Sequence, residues 1–313
     1  MRKGIAFVVA SLLAATAATA KDDATMPDEA AAIFRDGYVV VEYSDAGRAQ
    51  LEGVIGALKE ALAVPADLDE TNEREVDRFD VDPGRKGLVI ALAQSYFTLG
   101  VVFAKGEDGE EDVYRKGKHW GLKSLRMNPD FAAIEDQEGF VEAVGSATDV
   151  PALYWACMNW TSVANFDRLA AIPAGIVGKT VAMLERILEL DETYDCYGAD
   201  RVLGSIWGAL PRMPFGTYRK NLERARGYFC RVVDDAAACG APSSCPIDPI
   251  CAQYLGNRRA FAEFYLMERR LWEEAAAVLR SVLDAPIGET YPLLNARAQA
   301  DARELLEQVN EHL

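Results

Sequence analysis

Histidine is almost missing from this chain: His119 and His312 are the two copies in 313 residues. With so few imidazoles, and with five residues between successive cysteines in the run Cys239, Cys245, Cys251, the ligand spacings of zinc sites are absent and metal is the lesser reading. No Cys-x-x-Cys pair occurs, which removes the commonest thiol-redox arrangement. Strand-like alternation is equally scarce. The β-branched run Tyr38-Val-Val-Val-Glu-Tyr43 is too short to build a sheet, so the chain reads as all-α. Positive charge is in deficit: 33 Lys and Arg against 49 Asp and Glu leave a formal charge of −16. That balance argues against a nucleic-acid partner, which needs a concentrated basic face, and disfavours docking on anionic lipid. No cofactor-binding motif is present, and none is expected.

The N-terminus carries the strongest local signal. Arg2 and Lys3 precede an apolar run from Ile5 to Leu13, and Ala18-Thr19-Ala20 supplies the small-x-small pattern of a signal peptidase site. Residues 1–20 are therefore expected to be a signal peptide and 21–313 the mature domain. Losing Arg2 and Lys3 takes the formal charge from −16 to −18. In an exported chain six cysteines invite disulfides. Cys230, Cys239, Cys245 and Cys251 crowd one Gly, Pro and Ser-rich region, where two bridges are expected among the four with the pairing open. Cys157 reads as a small buried hydrophobe, and Cys196 either pairs with a distant partner or stays free.

Helical periodicity fills most of the rest. Residues 45–64 place Leu51, Val54, Ile55, Leu58 and Leu62 on one face, and residues 174–190 do the same with Ile176, Val177, Val181, Leu184 and Ile187. Residues 65–85 read as a polar connection. Residues 88–104 are apolar enough to approach a membrane span, but their polar interruptions and amphipathic surroundings favour a core helix. Further helices are expected over 111–127, 131–144, 218–235 and, in two runs broken near Arg269-Arg270, 258–285, with a capping helix over 292–313. Four helix ends, at Leu58–Leu62, Gly121–Pro129, Leu184–Asp191 and Ala277–Asp284, look like the second helix of a tetratricopeptide repeat. Together they predict an irregular TPR-like stack of helical hairpins, an α-solenoid or superhelix with a central cavity or pore.

The chemistry concentrates in residues 151–214. One segment, 150–166, has no clean polar face, so as a helix it is buried all round or lines a cavity, and Asn159 within it needs a partner. In the next, Tyr197, Arg201 and Ser205 stack at four-residue intervals beside a ridge that includes Trp207. Gly204 and Gly208, one turn apart, would admit a neighbouring backbone. Tyr154, Trp155, Asn159, Trp160, Tyr197, Arg201, Ser205 and Trp207 are the candidate ligand-binding residues, aromatic area with a few polar anchors. Arg201 suits bidentate pairing with an acid group; its structural alternative is an ion pair with a buried acid such as Asp200.

The blocks Gly87-Leu-Val-Ile-Ala-Leu-Ala with Tyr96, Tyr114 with Gly117 and Gly121-Leu, Leu153-Tyr-Trp-Ala-x-x-x-Trp160, Tyr197-Gly-Ala-Asp-Arg-Val-Leu-Gly204 with Leu210-Pro211, and Phe261-Ala-Glu-Phe-Tyr265 with Leu283 occur in this order. The succession resembles the T component of TRAP transporters, the transporter-associated tetratricopeptide family (TatT), over residues 30–285. The resemblance implies a periplasmic α-helical homotrimer whose cavity or hydrophobic pore faces the TRAP substrate-binding protein. Family members are often lipoproteins; this chain has no lipobox cysteine, and its cysteine-rich loop is a second departure. The reading is a non-enzymatic component that binds or relays a small, partly hydrophobic, acidic ligand. Its rival is a protein-binding scaffold with a filled interior. An enzyme on an α-superhelix would need positioned carboxylates, and no Glu-Ser pair of the lytic transglycosylase kind is present.

Overall fold

The first long helix starts where Ser44 leaves the helical conformation and its hydroxyl accepts the Gly47 N–H at 3.3 Å, satisfying one of the donors that a helix start orphans. This helix, α2 (Asp45–Ala61), buries Leu51, Val54, Ile55 and Leu58, the face that its periodicity predicts. The computed structural model describes residues 25–35, 37–214, 216–233 and 250–313. The signal segment, Cys239 and Cys245 lie outside them.

Ahead of α2 are one turn, α1 (Asp28–Ala31), and a minimal antiparallel hairpin, β1 (Phe34–Arg35) and β2 (Tyr38–Val39), reversed at Gly37 with φ +84°. It is the sole sheet among the described residues. After α2 come α3 (Glu73–Arg78), α4 (Lys86–Thr98), α5 (Glu110–Arg126), α6 (Pro129–Glu138) and α7 (Phe140–Ser146). The expected single helix over 131–144 is thus two, because Gly139 takes φ +101°, which ends one and starts the other. Next are α8 (Val150–Phe166), α9 (Arg168–Ala171), α10 (Ile176–Leu190), α11 (Tyr194–Ala209) and α12 (Leu222–Phe229). The helix expected over 218–235 is shorter, since Asn221 caps its start by accepting the Arg224 N–H at 3.0 Å. The chain closes with α13 (Leu255–Phe261), α14 (Trp272–Asp284) and α15 (Pro292–Asn310). The break between α13 and α14 falls at Arg270, φ +61°.

Helices α4, α5, α8, α10 and α11 pack side by side in sequence, and α15 lies on α13 and α14. The arrangement is all-α and compatible with stacked hairpins. The apolar segment Pro83–Phe103, long enough to cross a membrane by length and composition, is mostly inside the protein, as expected of a core helix. Helices α5 and α8 approach closely. A Cβ on Gly117 would lie 2.1 Å from Asn159 Oδ1, and one on Gly121 would lie 2.6 Å from Ala156 Cα. Two glycines one turn apart therefore let the α5 backbone lie against α8, which places α8 at the centre of the stack.

The polar connection before α4 is pinned by a charge. Glu70 is buried and accepts the Tyr96 hydroxyl and the Trp120 indole N–H, both at 2.7 Å, as well as the Lys59 ammonium. His119 is buried beside it, with Nδ1 2.9 Å from the Glu70 carbonyl oxygen. A buried carboxylate is tolerated only when paired and hydrogen-bonded; here three donors from α2, α4 and α5 meet on it.

Candidate functional site

Two π-helical turns, Leu99–Phe103 after α4 and Ala262–Met267 after α13, contribute Val101 and Phe264 to the wall of one cavity. Such insertions shift the register of the side chains that follow them and recur at functional sites. This cavity, of about 490 Å³, is lined from the N-terminal part of the chain by Tyr38, Gln94, Phe97 and Tyr114 and from its last third by Tyr254, Arg259, Phe264 and Asp301. Helices α8 and α11 supply the floor with Tyr154, Trp155, Met158, Arg201 and Ser205. The volume and the mixture of aromatic area with a few polar groups are those of a small-molecule site.

The polar end is built around a backbone reversal. Asp195, Cys196 and Tyr197 all take left-handed dihedrals, φ +50°, +51° and +60°, before α11 resumes its right-handed course. For residues other than glycine this costs about 1–2 kcal/mol each, and such segments persist when their surroundings over-determine them. Two restraints do so here. Cys196 is bonded to Cys251 across a sequence separation of 55, and Asp195 is held to Arg201 at 2.5 Å. Gly198 then clears the way for Tyr154, whose hydroxyl would meet any Cβ there at 2.5 Å and whose ring would meet it at 2.8 Å.

Arg201 is buried and its terminal nitrogens are taken. Nη1 donates to Asn257 Oδ1 at 2.8 Å and to the carbonyls of Asp195 and Cys196; Nη2 donates to the Asp195 carboxylate and to the Tyr154 hydroxyl at 2.9 Å. The guanidinium also lies 4.6 Å from the Tyr254 ring centroid, a cation–π placement. The Tyr154 hydroxyl donates to Asp195. Burial pushes its acidity well down, with the neighbouring Asp195 charge adding to the effect, so it stays a neutral donor. The partner of Arg201 is thus Asp195 and not Asp200. Asp200 sits 2.8 Å from Arg231 without a well-aligned hydrogen bond, and burial raises its carboxyl to about 6.

Of the eight sequence candidates, four share the cavity wall: Tyr154, Trp155, Arg201 and Ser205. The other four take structural places. Asn159 bridges α4 and α8 by donating to the carbonyls of Ala93 at 3.0 Å and Trp155 at 2.8 Å. Trp160 packs edge-to-face on Phe140, ring centroids 5.3 Å apart, with the Lys118 and Lys179 ammoniums over its faces. Tyr197 packs on the Cys196–Cys251 bridge, and Trp207 is stacked between Tyr218 and the Arg224 guanidinium. Periodicity placed Tyr197 with Arg201 because it assumed an unbroken helix.

The cysteine pairing differs from the expectation. Cys251 bonds to Cys196, so two bridges among Cys230, Cys239, Cys245 and Cys251 cannot form; Cys230 is disulfide-bonded as well. The long separation is what local clustering of cysteines hides. Cys157 is buried and free, its thiol pushed up to about 12 by burial. Among the described residues no group of three or more His, Cys, Asp or Glu side chains is arranged to hold a metal.

Sequence reasoning missed Asp195, Tyr254, Arg259 and Asp301. Three of them are charged residues inside helical runs, where a solvated face is the ordinary reading. The one signal available was Asp195 beside Cys196, just ahead of the Tyr-Gly block.

No curated protein matches the chain. Among known families, the TRAP transporter T-component family, TAtT, matches residues 79–312. This span omits α1 to α3 and includes the terminal helix α15, whereas the resemblance read from the motifs started near residue 30 and ended at 285. It contains nearly all of the cavity wall and covers well over half of the chain, and the protein therefore belongs to the TRAP transporter T-component family.

Proposed function

We propose that this chain is the periplasmic, non-enzymatic accessory component of a TRAP transporter, and that its cavity holds or relays a small, partly hydrophobic, acidic ligand in concert with the substrate-binding protein. The observation that carries the reading is the cavity of about 490 Å³ beside Tyr154 and Trp155, a half-open hollow lined by elements from both ends of the chain. A scaffold acting only through its outer surface has no use for such a void, which costs packing contacts that a filled core would make.

The carboxylates in the wall favour holding over transforming. Asp195 is paired with Arg201, Glu263 with Arg259, and Asp301 with Lys105 and Arg297, while Glu110 accepts the Gly106 N–H. A glycosidase-type acid needs a carboxyl with raised affinity for its proton. The carboxyl raised to about 6, Asp200, does not line the cavity.

Native mass spectrometry of protein purified without denaturation tests the reading. A stoichiometric small organic molecule, lost in a Ser205→Trp variant that fills the floor, is the expected result. Protein that carries no molecule, and whose Ser205→Trp variant captures the substrate-binding protein as well as the parent does, would turn the reading into the scaffold. Light scattering on the same sample tests the family's trimer, with three times the chain mass expected.

A further inference from the structure

The sequence singles out Arg201 as the anchor for an acid, but its terminal N–H groups are consumed by acceptors of the protein itself, one of them a carboxylate. A ligand anion there would have to displace Asp195 from a buried guanidinium, leaving two carboxylates to compete for one cation in a poorly solvated site. Another part of the same wall is differently balanced.

Asp301 on α15 receives three cations: Lys105 at 2.7 Å, Arg297 at 2.6 Å and Arg259 at 3.9 Å. The screening of these charges is unequal. The Arg259, Arg297 and Asp301 side chains are 23%, 11% and 13% exposed, whereas the balancing carboxylates Glu263 and Glu304 are 32% and 62% exposed. Charges in contact with water are screened much more than buried ones, so within the Arg259, Arg297 and Asp301 group the guanidiniums outnumber the carboxylate, while Glu110, Glu263 and Glu304 balance them from the rest of the wall. Asp301 responds to that surplus: its carboxyl is held below the usual range, with burial opposing and Arg259 the largest of the favourable neighbours.

The hydrogen bonding points the same way. Arg259 donates through Nη1 to Glu263, while its buried Nε faces Asp301 Oδ2 at 3.9 Å, beyond hydrogen-bond reach, and has no hydrogen-bond partner. Buried unpaired donors of this kind cost roughly 1–3 kcal/mol and call for an acceptor. Arg259 and Tyr254 both line the cavity. Phe97, Trp155 and Met158 give the same cavity an apolar wall.

We infer, resting on the accessory-component reading above, that the cavity selects an amphipathic monoanion whose acid group is held by Arg259 and the Tyr254 hydroxyl, backed by Lys105 and Arg297 across Asp301. Its apolar body lies along Phe97 and Trp155. Arg201 is a structural cation that shapes the floor.

Titration calorimetry with octanoate and its neutral analogue octanamide tests this on the full mature chain. The parent protein is expected to bind octanoate at least about 10-fold more tightly than octanamide, the factor that a charge-assisted hydrogen bond supplies. Arg259→Gln reduces that ratio to near one with octanamide affinity unchanged, and Arg280→Gln, at an exposed position outside the cavity wall, leaves it intact. Tyr254→Phe, which keeps the ring packing, lowers the ratio about threefold and tests the subsite independently should Arg259→Gln not fold. Equal binding of the two compounds, binding of neither, or a ratio that survives both Arg259→Gln and Tyr254→Phe would overturn the assignment. A neutral molecule retained in native mass spectrometry would remove the anion subsite while leaving the accessory reading standing.

Discussion

Asp195 and Arg201 lie six positions apart on one helix, a spacing that sets side chains on different faces of a regular helix, yet their side chains meet at 2.5 Å. The left-handed reversal over residues 195–197 makes the meeting geometrically available. The ion pair in turn holds the reversal in place. Asp195→Asn suits the left-handed conformation but leaves Arg201 buried without its counter-charge. A loss of about 3 kcal/mol is expected, as for other buried pairs deprived of one partner, and chemical denaturation would measure it. A change below about 1 kcal/mol would mean that the reversal is held by the disulfide alone.

Removing the bridge tests that second restraint. Cys196→Ser with Cys251→Ser opens a loop with a sequence separation of 55, for which chain entropy gives about 4 kcal/mol. The double variant is expected to lose that much in denaturant unfolding and to lose ligand affinity with it, because Asp195, Arg201 and Tyr154 depend on the same turn. Retained affinity at reduced stability would separate the bridge from the site.

Two glycine substitutions are expected to act with opposite signs, the first at the α5–α8 contact and the second on the exposed face of α2. Gly117→Ala puts a methyl where Asn159 Oδ1 now sits, 2.1 Å away. The helices must separate at a cost of about 1–3 kcal/mol. Gly53→Ala on exposed α2 meets nothing within 4 Å and is expected to stabilise by about 0.4–1 kcal/mol, mainly by restricting the unfolded chain. Thermal melts of both variants give the check.

Much of the helical plan was legible because it depends on periodicity and caps. Leu51 to Leu58 and Val177 to Ile187 repeat at helical spacing, and their burial follows. The site was legible only where it coincides with that pattern, at Tyr154, Trp155, Arg201 and Ser205. What periodicity could not carry is the left-handed turn at Asp195 to Tyr197, the pairing of Cys196 with a residue 55 positions on, and the arrival of Arg259 and Asp301 from two separate helices. Each is a nonlocal arrangement. The Glu70 cluster is another: an acid in a polar loop gives no sign that Tyr96 and Trp120 converge on it.

Stability is expected to depend on pH through two groups with opposite signs. Burial lowers His119 below its ordinary 6.5, so the unfolded chain takes up a proton more readily, and stability present above that value is lost as the pH falls below it. Asp200 is raised from 3.8 to about 6; its favourable contribution is complete below 3.8 and is lost as the pH climbs through 6. The rise from 3.8 to about 6 corresponds to a cost of about 3 kcal/mol at pH 7. Asp200→Asn is expected to be more stable than the parent at pH 7 by about 1–2 kcal/mol, with the two converging near pH 4 in denaturation curves. Parallel curves at every pH would assign the raised carboxyl elsewhere.

Helix α15 brings Asp301 and Leu305 to the same chamber as Tyr38 and Gln94, and Lys105 and Asp301 join across 196 positions of chain. An open array of helical repeats can melt from either end, each unit answering only to its neighbours. Here the last unit is fastened to the first. Occupancy of the chamber is thereby linked to the integrity of the whole polypeptide, so a bound solute should raise the melting temperature of both ends together, and trimming the C-terminus should empty the chamber before it unravels the middle.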